Sequence, residues 1–160
     1  MEMNFLAILA AAFSSQIVGM IWYNPKVFGN AWMKATGVTE EQARGGNMWV
    51  SMLLGMVYAF FISVFIQFVA IHQIGAVSAT VDIAGVDPSV LSNYLAAYGN
   101  TYRTFGHGAL HGAMFGLFFV FPIIATAAMY EKRSFKYTLI SGGYWIVSLM
   151  IMGGIVCGWK

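Results

Sequence analysis

The chain has 160 residues, enough for about one domain. Hydrophobic residues make up 59% of it and charged residues 9%, where an ordinary soluble domain carries roughly 25% charged. With a net charge of +2 and no basic cluster, this balance excludes a soluble globule, a disordered chain and a nucleic-acid binder. An integral membrane protein remains. The single cysteine, Cys157, excludes an intrachain disulfide framework.

A hydrocarbon core of about 30 Å takes roughly 20 apolar residues of helix. Four stretches meet that length, at about 5–23, 48–71, 108–129 and 137–157, and none contains Asp, Glu, Lys or Arg. The first follows Met1-Glu2-Met3-Asn4, which lacks the basic start of a signal peptide, so a retained helix is expected.

Asn24-Pro25 ends the first span, because proline cannot continue a helix and restrains the residue before it. Phe28, Trp32 and Met33 predict a segment lying along the interface, broken at Thr36-Gly37. Thr39 and Gln42 have capping-box spacing, which predicts a short helix through Arg44. Gly45-Gly46 ends it, and Asn47 caps the second span. Trp22, Tyr23, Pro25 and Trp32 form an interfacial anchor, because indole and phenol rings settle at headgroup level.

The stretch from 75 to 106 is long enough to fold. Asp87-Pro88 is a helix start, Gly99 a stop, and Val90, Leu91, Tyr94, Leu95 and Tyr98 form one stripe at a 3.6-residue period. A short amphipathic helix on the outer surface is expected. In the third span, Pro122 predicts a bend.

Helices in lipid gain little from apolar burial and pack through small residues. Gly55 in the second span, Gly108, Gly112 and Gly116 in the third, and Gly154 and Gly158 in the fourth are the expected packing positions. Basic residues set the orientation. Lys26, Lys34, Arg44, Lys132, Arg133 and Lys136 fall on one side, Arg103 and Lys160 on the other. Loops 24–47 and 131–136 are therefore expected in the cytoplasm of a multi-pass inner-membrane protein, with both termini and the 75–106 loop outside.

The run Gly19-Met20-Ile21-Trp22-Tyr23-Asn24-Pro25, followed by Phe28-Gly29, Ala31-Trp32-Met33 and Thr36-Gly37-Val38-Thr39-Glu40-Glu41, is distinctive. With Gly143-Tyr144-Trp145, Leu149 and Met152-Gly153 of the last span, it resembles the bacterial membrane proteins of domain-of-unknown-function family 1761. The resemblance implies a small four-helix membrane protein. It implies no reaction and carries over no catalytic or binding residue.

Three histidines fall at one end of the chain's spans. His72 closes the second, and His107 and His111 open the third, four residues apart on one helix side. Such a set suits a transition metal, with Asp82 or Asp87 completing it, or a haem ligated by His72 and one partner. A satisfied interfacial histidine is the plainer reading, so no cofactor is expected from sequence alone. Gln16, midway along the first span, is the one candidate substrate ligand, although such a residue more often joins helices.

No nucleophile has a base at helical spacing inside a span, and no phosphate loop is present, so an enzyme is not expected. The sequence therefore reads as an all-α, single-domain, four-helix membrane bundle. Its expected partners are the lipid bilayer and either further copies of itself or a larger membrane complex. A structural or accessory subunit is the leading function. A small-solute transporter or oligomeric pore comes next, then a metal or haem protein using the outer histidines.

Overall fold

Each span begins where a polar side chain answers the free N–H groups of a helix start. Asn4 accepts from Ala7 N at 3.0 Å and opens α1 (Phe5–Trp22); Asn47 accepts from Val50 N at 3.3 Å and opens α4 (Met48–Ala70). Thr104 opens α7 (Phe105–Phe115), and Ser134 opens α9 (Phe135–Gly158). The computed structural model describes residues 3–80, 85, 87 and 89–160, and all regular structure among them is helical.

Between α1 and α4, Pro25–Gly29 forms a π-helical turn that runs into α2 (Asn30–Thr36). Gly37, with φ of 75°, ends α2. The capping box between Thr39 and Gln42 is present and opens α3 (Glu40–Arg44). After α4 come α5 (His72–Thr80) and α6 (Ser89–Tyr98). The third span continues from α7 through a π-helical turn at Gly116–Val120 into α8 (Phe121–Tyr130).

Four helical stretches are long and apolar enough to cross a membrane: Phe5–Trp22, Met48–Ala70, Phe105–Tyr130 and Phe135–Gly158. Half of the last is buried, because α9 is the helix on which α1, α4, α7 and α8 converge. Leu149, Met152 and Val156 of α9 meet Ala11 of α1 and Ile66 of α4 in the core. Large apolar side chains such as Leu6, Leu53, Phe61 and Phe118 are exposed on the outside of the bundle.

The glycine positions sit where backbones touch. A Cβ on Gly108 or Gly112 would run into the carbonyl of Gly153 or Leu149, and one on Gly116 would lie 2.8 Å from Ile146 Cα. Gly154 and Gly158 receive Phe105 at the head of α7. Gly55 instead makes room for Gln16, whose Nε2 would lie 3.2 Å from a Cβ there.

Pro122, where a bend is expected, is preceded by a π-helical turn: the Phe121 N–H reaches back five residues to Gly116 O. The wide turn absorbs the hydrogen bond that proline cannot make and the clash its ring causes. The segment after α4 differs from the sequence reading, because it carries α5 as well as the one expected surface helix. The expected α6 helix is present. Leu91, Tyr94 and Leu95 are half-buried, while Val90 and Tyr98 are exposed. Asp87 bonds Ser89 N at 2.8 Å; Pro88, the expected first helical residue, lies outside the described residues.

Candidate metal centre

The three histidines meet. His72 Nε2 lies 3.3 Å from His111 Nε2 and 3.4 Å from His107 Nε2. All three ligand nitrogens lie within 4.8 Å of one another. His72 is exposed, and the α7 pair is half-buried.

Local structure explains the convergence. Helix α4 stops at Ile71, whose extended backbone (φ −114°, ψ 100°) turns the chain before α5 begins. His72 is thereby carried off the α4 axis and over α7. On α7, Thr104 accepts the His107 N–H at 3.2 Å. Gly108 and Gly112 each follow a histidine and seat the helix against α9, which fixes its rotation and leaves both imidazoles on the side facing His72.

Two residues frame the cluster. Gln73, buried beside His72, donates to Tyr98 O and Thr101 O, both at 2.8 Å, and ties α5 to the end of α6. Tyr102 adopts a left-handed φ of 61°, and its ring stacks on His107 at 5.0 Å and 20°. A non-glycine residue held there costs of order 1–3 kcal/mol, so its surroundings must enforce it. Its carbonyl receives Thr104 N and the Cys157 thiol.

The arrangement has a consequence for protons. A neutral imidazole Nε2 offers either one N–H or one lone pair. His72 Nε2 faces two other Nε2 atoms and cannot make a well-aligned hydrogen bond to both. Three lone pairs aimed at one point are, by contrast, a ligand set. With a Zn–N bond of about 2.0–2.1 Å, a tetrahedron has edges of about 3.3–3.4 Å. Two edges of the triad already have that length, and the third pair of ligand nitrogens lies within 4.8 Å. Among the described residues, no further His, Cys, Asp or Glu joins the cluster. Asp87 is engaged with Ser89, whose backbone N–H holds its carboxyl below the usual carboxylate range. Asp82 lies outside the described residues.

The opposite end of the bundle carries the aromatic elbow. Trp22 Nε1 donates to Ile140 O at 3.0 Å, and its ring packs on Phe28 at 4.5 Å. Tyr23 contacts Trp32 and Tyr144, and the Tyr144 hydroxyl donates to Ser15 O at 3.3 Å. Pro25 opens the π-helical turn, and a Cβ on Gly29 would strike the Tyr23 carbonyl. A cavity of about 350 Å³ lies between Tyr23, Pro25, Trp32, Met33 and Glu40.

Residues 6–157 match the family described as "Protein of unknown function (DUF1761)". The chain belongs to this family. No curated protein and no solved structure matches it. The match covers both stretches that carried the resemblance, and in this DUF1761 chain those stretches touch, Trp22 and Tyr23 lying against Gly143 and Tyr144.

Gln16 does not join the histidines. It is half-buried on α1 against Gly55 of α4. Sequence reasoning missed Gln73, Tyr102 and Arg103. Arg103 Nε donates to Cys157 O at 2.9 Å and its Nη2 to Trp159 O at 3.4 Å, answering the free carbonyls at the end of α9. The dipeptide His72-Gln73 held the one available signal, two polar residues directly after a long apolar span.

Proposed function

We propose that this chain is a membrane protein that binds a divalent transition metal through His72, His107 and His111. The observation that carries the reading is the meeting of three imidazoles from two separate elements, with His72 Nε2 at the spacing of a tetrahedral metal's ligands from both others. Imidazole suits zinc, copper, nickel and iron, and three protein ligands with an open fourth position are the pattern of zinc sites that exchange a water or a substrate. Direct contact between the rings favours a single ion over haem, because no slot for a macrocycle separates His72 from the α7 pair.

This reading ranks the triad above the structural-subunit and solute-carrier roles that composition alone favours. The site belongs at an inner-membrane protein's outer face, with loops 24–47 and 131–136 in the cytoplasm, since six of eight basic residues lie in those loops. Arg133 bonding Thr36 O at 3.1 Å supports placing the two loops at one end. Metal analysis of the purified protein beside a His111→Ala variant tests the function.

A further inference from the structure

The triad stands at the head of an apolar groove. Phe115 lies one turn along the third span from His111, and Phe119 one turn further, its ring stacked on Phe115 at 4.8 Å and 15°. Phe65 of α4 faces Phe115 at 6.0 Å. Between these walls, with Trp145 of α9 at the floor, is a groove of about 480 Å³ lined only by apolar and aromatic side chains. Phe61, Phe65 and Phe119 on its walls are exposed, so it opens sideways from the bundle.

Depth decides what faces that opening. At 1.5 Å per residue, His111 lies about 9 Å, and Phe119 about 21 Å, along the helix from Phe105. In a bilayer crossed by these four helices, that depth puts the histidines near the head groups and the groove among the acyl chains. The π-helical turn at Gly116–Val120 places Phe119 and Val120 on the groove. Turns of this kind recur at functional sites. A helix about 10 Å across does not fit so small a space, whereas one lipid chain does.

We propose that the ligand of the metal site is a lipid. An anionic phosphate oxygen of its head group takes the metal's open position, and its chain lies in the groove between Phe61 and Phe119. This inference rests on the metal reading of the triad, and its second half rests on the groove. Zinc accepts oxygen ligands beside imidazoles, so head and chain are met by separate chemistry one helical turn apart.

The test is native mass spectrometry of the full chain in mild detergent, zinc-loaded or treated with chelator. The probes are dioctanoyl phosphatidic acid and glycerol 3-phosphate, which shares the phosphate monoester but has no chains. The zinc-loaded protein is expected to retain one phosphatidic acid, at least tenfold more tightly than the chelated protein and than glycerol 3-phosphate. Val120→Phe, which fills the groove, is expected to weaken the lipid at least tenfold while keeping one zinc. Phe61→Ala, which removes an exposed wall without crowding the interior, is expected to weaken it several-fold. Equal lipid binding with and without zinc, or wild-type lipid binding by both variants, overturns the proposal. Equal binding of glycerol 3-phosphate overturns its lipid half and leaves a soluble phosphate as the ligand. Absence of a zinc mass in the wild-type spectrum overturns the metal reading itself, and is read separately from the lipid.

Discussion

Gly112 of α7 rests against the backbone of Leu149 in α9, with no room between them for a methyl group. The contact does more than pack two helices. It fixes the rotation of the turn that presents His111, the residue beside Gly112, toward His72. Gly112→Ala gains up to about 1 kcal/mol of helix propensity. It must also push apart two backbones, and overpacking costs about 1–3 kcal/mol. The net expectation is a lower midpoint of thermal unfolding in detergent. Gly75→Ala in α5, where a Cβ meets nothing within 4 Å, is the control and should be neutral or slightly stabilising. Equal behaviour of the two variants would contradict the packing account.

Gln73 joins α5 to the end of α6 through two carbonyls. Its removal deletes both hydrogen bonds, each worth about 0.5–1.5 kcal/mol, while Tyr98 O keeps the Thr101 N–H. Gln73→Ala should therefore speed amide exchange over residues 89–101 and leave the exchange of α9 unchanged. Uniform exchange across both regions would show that Gln73 stabilises nothing local.

Asp87 gives a pH dependence with a definite sign. Its carboxyl is held low by the backbone N–H and the hydroxyl of Ser89, so the folded state favours the charged form. The stabilisation is present above the ordinary carboxylate pKa of about 3.9 and fades as pH falls through the lower, folded value. The Ser89 amide resonance should titrate with a midpoint below about 3.9, and Asp87→Ala should abolish that titration. A midpoint at or above the ordinary value would remove Asp87 as the brace at the start of α6.

Orientation is open to a direct check. In a Cys157→Ser background, Ser78→Cys on α5 should react with a membrane-impermeant maleimide on intact spheroplasts, and Lys34→Cys on α2 only after lysis. The reverse pattern would place the histidines in the cytoplasm.

The spans were legible in sequence because each is a long uncharged run with a capping residue at its start. Asn47 and Thr39 show that local hydrogen bonding alone sets such boundaries. The glycine ridge was legible for the same kind of reason, since four-residue spacing is one helix face. Helix α5 was not legible. His72-Gln73-Ile74-Gly75 carries no start signal, and its order comes from the partners of Gln73 some 25 residues on. The histidine site was half legible. The spacing of His107 and His111 puts them on one side of α7, but only the break at Ile71 brings His72 to them, and no local pattern announces that break. Arg103 is a long-range feature of the same kind, since the Cys157 and Trp159 carbonyls that its guanidinium reaches lie more than 50 residues away.

Isothermal titration of the chelator-treated protein with Zn²⁺, in mild detergent at neutral pH, tests whether the three imidazoles bind one metal ion. The wild type should bind one zinc per chain, His72→Ala and His111→Ala should each lose at least tenfold in affinity, and Gln16→Leu should keep wild-type affinity, since Gln16 packs on Gly55 away from the histidines. No saturable zinc binding by the wild type, or equal affinity in the histidine variants, would contradict a shared metal site.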